Sequence, residues 1–345
     1  RQRRNHPNQP SINMRRRSIV IIIIILILAG AGAALYWAVR HQKPVVVLAP
    51  PSGPSMTQIL DQAPVSAVSA YDGSAIWYFD SDGQLKRILG DGTGLTEYPL
   101  PALNAKFQSA LWPKTGSDFI AFAQGVKKYY QSSSQTYIDL PANIQWLDWM
   151  PDGQRVIYIW KSADGQHQSL VVANADGTGF KTIADVFWPD LIVKAAPDGQ
   201  HALLYRPQAT DGANNIYLVD LTTGAITTTV GQGNNTGAMW VSPTKFIFMQ
   251  TQSAAYPRLY LQDITTGAAA DLKLNTTLDK VVLDESGQYL YAAVADPATS
   301  HDSFVRVNLA DLSQSEYFTP ADEIPTTDLL LPGSTVYFTN YRDGT

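Results

Sequence analysis

Two short motifs recur in phase along this chain, and their shared phase limits the fold more than any other feature. Trp149-Met150-Pro151-Asp152-Gly153-Gln154 runs into the apolar stretch Arg155 to Trp160. Forty-six residues on, Ala196-Pro197-Asp198-Gly199-Gln200 runs into His201 to Tyr205. Related starts lie at Tyr71, Trp112, Val241, Glu285 and Leu331, which makes seven, and six of them are followed by the rest of a unit. The second motif is an apolar run that ends in Asp or Asn before a Gly turn. Ile216 to Asp220 precedes Thr222-Thr223-Gly224, and Leu259 to Asp263 precedes Thr265-Thr266-Gly267. Leu170 to Asn174 precedes Asp176-Gly177-Thr178-Gly179, and Val305 to Asn308 precedes Asp311. The steps from Asn174 to Asp220 to Asp263 to Asn308 are 46, 43 and 45 residues.

Gly supplies the positive φ of such turns, and Asp or Asn bonds the turn backbone, so each unit reads as short strands joined by tight turns. No amphipathic helix period follows residue 64. Units of about 40–50 residues holding several strands each are the pattern of β-propeller blades, whose radial stacking covers both faces of every sheet. The Pro-Asp-Gly-Gln starts and the Asn-Ala-Asp-Gly-Thr-Gly segment at 174–179 resemble the TolB-type, WD40-like propeller repeat. The resemblance covers roughly 65–345, is clearest over 144–225, and implies fold rather than function. The expectation is an all-β propeller of seven blades, with six or eight as alternatives. The last unit stops after two expected strands, so either 56–64 completes it by ring closure or more chain follows Thr345.

Ahead of the repeats, Ile19 to Val39 is a 21-residue run without charge. As a helix it spans about 31 Å at roughly 1.5 Å per residue, enough for a hydrocarbon core of about 30 Å. Arg15, Arg16 and Arg17 precede it, with Arg1, Arg3 and Arg4 behind, against Arg40 and Lys43 after it. This asymmetry predicts the N-terminus inside and the bulk of the chain outside. Tyr36 and Trp37 are the expected interfacial anchors. The small-x-small triplets Ala29-Gly30-Ala31 and Ala31-Gly32-Ala33 also fit a cleaved signal, but the apolar run is longer than a usual h-region of about 7–15 residues. Met14 has the shape of a start, so 1–13 reads as an upstream extension or the chain as a fragment. The expected organisation is a basic cytoplasmic tail at 1–17, a transmembrane helix at 18–40, a Pro-rich spacer at 41–55 and the propeller at 56–345, on the outer side of the cell membrane. Prolines 44, 50, 51 and 54 keep the spacer extended.

The net charge of −5 hides a split. Eight of 25 Lys/Arg and none of 30 Asp/Glu fall in 1–43, which leaves 44–345 with a net charge of −13. Such an acidic bulk argues against nucleic acid as a partner. The absence of Cys excludes disulfides, Cys-zinc sites and thiol catalysis. No Gly-x-Ser-x-Gly elbow occurs, and the five His residues never fall at metal-ligand spacing. Asp80-Ser81-Asp82-Gly83 and Asp176-Gly177 lack the register of a calcium loop and read as turns. Ser162-Ala163-Asp164-Gly165 misses the sialidase box. His201 reads as a structural residue that opens a strand. Lys127-Lys128-Tyr129-Tyr130 reads as a polar hairpin tip. Trp112, Trp149 and Trp240, just before blade starts, read as packing between blades. No catalytic, cofactor or metal residue is assigned. The expected function is a non-catalytic module for a protein, peptide or glycan partner outside the cytoplasm. The alternatives are the propeller portion of a dipeptidyl-peptidase-like enzyme, or a propeller glycosidase or lyase, which needs paired buried carboxylates at the central mouth.

Overall fold

The two Pro-Asp-Gly turns close in the same way. In a computed structural model, which describes residues 56–69, 74–207, 214–251, 257–295, 302–320 and 324–340, Gly153 N donates to Met150 O at 3.0 Å and Gly199 N to Ala196 O at 3.0 Å. Both glycines have φ +66. Asp152 Oδ1 accepts from the amides of Gln154 and Arg155, and Asp198 Oδ1 from those of Gln200 and His201. The second motif repeats the device. Asp220 Oδ1 takes the amides of Thr222 and Thr223, and Asp263 Oδ1 those of Thr265 and Thr266. Each Pro-Asp-Gly or Thr-Thr-Gly stretch is therefore a hairpin corner stabilised by its own carboxylate.

These corners build six four-stranded antiparallel sheets in strict chain order. Blade one covers 65–98, blade two 107–140, blade three 144–186, blade four 192–233, blade five 235–275 and blade six 281–318. The first strands of successive sheets touch one another, as Ile144–Trp149 does Ile192–Ala195, so they form the inner wall. The chain is a six-bladed β-propeller. A two-stranded sheet, Thr326–Leu330 with Tyr337–Asn340, stands in a seventh place between blade six and blade one.

Each seam between neighbours carries one hydrophobic cluster. Blades three and four meet through Ile157, Ile159, Leu170, Val193, Leu204 and Val219. Blades four and five meet through Leu203, Tyr205, Ile216, Trp240 and Phe246. Because both sheet faces are covered, Val156, Ile157, Tyr158 and Ile159 are all buried in sequence, with none of the alternation of a one-sided strand.

Two sequence expectations are corrected. Residues 56–64 add no strand to the seventh place. Ile59 and Leu60 instead pack beside Ile76, Tyr78, Leu330 and Tyr337, and Tyr337 Oη donates to Gly90 O across the closing seam at 2.8 Å. Lys127 to Tyr130 are not a hairpin tip but the body of the strand Val126–Gln131. Tyr129 and Tyr130 are buried there, and the turn falls at Ser132 to Gln135. The apolar run and its flanks, including Arg15, Arg16, Arg17, Tyr36 and Trp37, lie outside the described residues. Among the described residues no helix is long and apolar enough to cross a membrane.

Candidate binding face

The two ends of the propeller differ. One end carries the repeated Asp-Gly and Thr-Thr-Gly corners, whose carboxylates are occupied by their own turns. At the other end the links between second and third strands run from the pair Gln124-Gly125 in blade two to the stretch 206–213 in blade four. This unequal end is where side chains are free to vary without disturbing the repeat.

Blades three and four concentrate unusual features there. The connector from the outer strand Lys181–Val186 to the inner strand Ile192–Ala195 begins with Phe187, at 84% the most exposed large apolar side chain among the described residues. Trp188 lies stacked on Tyr217 of blade four, with ring centroids 4.3 Å apart and planes 23° apart. Tyr217 Oη accepts from Asn215 Nδ2 at 3.1 Å, while the buried Asn215 Oδ1 has no partner. After Pro189, Asp190 adopts φ +55, a left-handed conformation uncommon outside Gly. Near the start of the inner strand Ile144–Trp149, Trp146 is 41% exposed. On the opposite side of blade four, Asn214 and Asn235 are buried. Asn235 Nδ2 donates to Asn214 O, and Asn214 Oδ1 is left without a partner.

Deeper in the same seam lies Asp148. Its Oδ2 accepts from Ala195 N of blade four at 3.1 Å and its Oδ1 from Trp149 N at 3.0 Å. The Asp148 side chain is half-buried in this seam. Desolvation pushes its carboxyl above the usual range, against the pull of Lys194, the two amides and Lys114. The buried Tyr205 phenol nearby is pushed up to about 12 by desolvation, with Asp148 adding to the shift.

The other deeply placed acid, Asp302 of blade six, is bound by Lys280 Nζ at 2.8 Å and by the Thr326 amide and hydroxyl at 2.6 and 2.9 Å. The two belong to different seams, and the charged side chains that face Asp148 are lysines. Among the described residues no group of three His, Asp or Glu is placed to hold a metal. The acids that suggest calcium loops are used by the backbone. Asp80 Oδ1 takes the amides of Asp82 and Gln84, and Asp176 Oδ1 takes the Thr178 amide. His201 opens its strand beside Asp198, with Nδ1 2.7 Å from Oδ2.

The three expected tryptophans do pack between blades. Trp112 Nε1 donates to Ser66 O, Trp149 Nε1 to Leu111 O and Trp240 Nε1 to Lys194 O, each reaching the inner strand of the preceding blade. Blade four has Ala195 at this position, and its amide donates to Asp148 Oδ2 in place of an indole tie. Phe187, Trp188 and Asp148 were not singled out from the sequence. The Phe187-Trp188 pair, set after a strand and before Pro189-Asp190, was the available signal.

The class these features define is a β-propeller, the fold class expected from the repeat. No protein-family profile matches the chain, and no curated protein matches it. Similar solved structures include an oligogalacturonate lyase in complex with manganese, at TM-score 0.57 and 10% identity, covering 76% of this chain and 80% of that one. A puromycin-hydrolysing peptidase of Mycobacterium tuberculosis aligns at TM-score 0.56 and 14% identity, over 81% of this chain and 50% of that one. TolB from Acinetobacter baumannii aligns at TM-score 0.48 and 15% identity, over 75% of this chain and 64% of that one. The chain thus spans half of the peptidase and somewhat under two thirds of TolB. At these identities the likeness is one of fold.

Proposed function

We propose that this protein is a non-catalytic binding or assembly module, a propeller held on the outer side of the cell membrane by the helix expected at 18–40. The partner docks on the unequal end at blades three and four. The observation that carries the reading is the contrast between the two ends. The corners of the repeat consume their own polar groups, whereas the opposite end presents Phe187 and Trp146 to solvent, and in blade four it holds the amide oxygens of Asn214 and Asn215 without partners. The anchor is supported by the uncharged run Ile19 to Val39 and the arginines before it.

The test combines topology with surface variants. Protease added to intact cells is expected to digest the propeller and spare residues 1–17. Cross-linking from position 187 is expected to trap a partner that cross-linking from Phe180, on the corner end, does not. Turnover of a substrate by the purified chain, or a partner trapped only from position 180, would overturn the reading.

A further inference from the structure

The connector between blades three and four carries more information than exposure alone. It reads Asp185-Val186-Phe187-Trp188-Pro189-Asp190, and no Lys or Arg occurs from Thr182 to Val193. Asp185 and Asp190 are both exposed. Asp185 Oδ1 accepts from Ser169 Oγ at 2.9 Å. Asp164, also exposed, lies in the link of blade three at the same end. Phe187 lies between the two connector acids in sequence, with 84% of its surface open. The connector is held by the Trp188–Tyr217 stack, by the fixed φ of Pro189 and by the left-handed Asp190. A rigid aromatic presented in this way loses little freedom when it is covered.

We propose that this connector docks a basic segment of a partner protein, one whose Arg or Lys side chains lie over the Phe187 ring and pair with Asp185 and Asp190. The proposal rests on the binding reading above and names its partner class. Three observations select a cation. An aromatic face attracts positive charge. Two carboxylates flank it with no base in the connector. The whole of 44–345 carries a net charge of −13, which repels acidic partners and steers basic ones. Lys161, two strands away from Val186 in the same row, marks the edge of the acidic patch.

The experiment uses the full chain in detergent and two synthetic peptides, Gly-Arg-Gly-Arg-Gly-Arg-Gly and its Glu counterpart, with binding read by calorimetry across a salt series. The Arg peptide is expected to bind and the Glu peptide to show no heat. Phe187→Ala leaves net charge unchanged, so it separates the site from diffuse attraction, and it is expected to weaken the Arg peptide about five- to tenfold. Asp185→Asn with Asp190→Asn is expected to weaken it further and flatten the salt dependence. Phe180→Ala, at the corner end and 70% exposed in the parent, is expected to change nothing. Equal affinity for parent and Phe187→Ala, or binding of the Glu peptide, overturns the proposal. If neither peptide binds while a partner cross-linked at position 187 proves acidic or a glycan, the binding reading stands and the cationic assignment falls.

Discussion

The indole Nε1 of Trp240 in blade five donates to the backbone oxygen of Lys194 in blade four, 3.1 Å away and 46 residues earlier. The separation is one repeat, so the bond joins a residue to its own counterpart region in the preceding blade. Trp149 makes the same reach to Leu111 O at 3.0 Å, and Trp112 to Ser66 O at 2.8 Å. A repeat protein whose units are held only by apolar faces could slide along a seam. A fixed donor on one inner strand and a fixed acceptor on the next set the offset between blades.

Trp240→Phe should therefore cost more than its small loss of area. The indole is 7% exposed, and its removal leaves Lys194 O without that donor in a partly buried setting. About 1–2 kcal/mol of stability is expected to be lost for the bond. Trp240→Ala adds a cavity and is expected to cost about 3–5 kcal/mol. Denaturant unfolding of the two variants measures both, and a Trp240→Phe value near zero would show that the tie carries no stability.

At the seam of blades three and four the tie is a carboxylate instead, with consequences for pH. Asp148 has its folded pKa raised by burial, so the ionised form is the one the folded state disfavours. The penalty is present once pH exceeds the folded pKa and is relieved as pH falls through it towards the unfolded value of 3.8. Asp148→Asn keeps an acceptor for Ala195 N and removes the charge. Its stability at pH 7 is expected to equal or exceed that of the parent, with the gap closing on acidification. Asp148→Ala strands the Ala195 amide and is expected to lose about 1–3 kcal/mol. Stability of the three chains from pH 4 to 8 decides this. The turn acids behave oppositely. Partial burial works against the ionised forms of Asp152 and Asp198, but the amides they accept from and the side chains of Arg155 and His201 hold both below the ordinary carboxylate range. What they add is present above the unfolded pKa and lost as pH falls through the lower folded value.

The fold was legible because the propeller repeats its chemistry. The corner at Asp152 and the corner at Asp198 need the same residues, so two copies 46 residues apart disclose both the turn and the blade. The same turn in blade one, Asp91-Gly92-Thr93-Gly94, matches Asp176 to Gly179 bond for bond, with each Asp Oδ1 taking the Thr amide at 2.9 Å. Its flanking strands differ from those around Asp176, which hides the likeness in the sequence. The binding face was far less legible, because it lies where the repeat is broken. Phe187 and Asp148 have no counterparts in other blades to give them away. Lys127 and Lys128 misled because composition at a strand's surface resembles composition at a turn. Only the register of Val126–Gln131 against Phe119–Ala123 tells them apart.

Two glycines in equivalent corners offer a test of how neighbours modify a turn. Gly224 and Gly267 have φ +75 and +73 and accept the same strain from a side chain. At Gly267 a Cβ would meet nothing within 4 Å, whereas at Gly224 it would lie 2.4 Å from the backbone oxygen of Ile183 in blade three. Gly267→Ala is expected to cost about 1 kcal/mol, the left-handed penalty alone. Gly224→Ala must also push blade three away and is expected to cost at least twice as much. Equal losses in thermal or denaturant unfolding would mean that this approach between blades is soft.

The seam between blade six and the two-stranded sheet carries a partly buried ion pair beside its apolar cluster. Lys280 Nζ meets Asp302 Oδ2 at 2.8 Å, and the same oxygen accepts the amide and hydroxyl of Thr326, the first residue of the two-stranded sheet. Asp302 is 1% exposed and Lys280 22%. Removing the lysine leaves a carboxylate in a place it cannot be hydrated, and losing one member of such a pair typically costs about 3–5 kcal/mol, less here because Lys280 still reaches water. Lys280→Met is therefore expected to loosen Thr326–Leu330 and Tyr337–Asn340 before the six full blades. Hydrogen exchange reads this directly, as faster exchange in 326–340 with blades two to four unchanged. Lys280→Met with Asp302→Asn is expected to recover much of the protection, since the second change removes the stranded charge and keeps an acceptor for Thr326. Uniform acceleration around the ring would instead show that the seventh place unfolds only with the whole propeller.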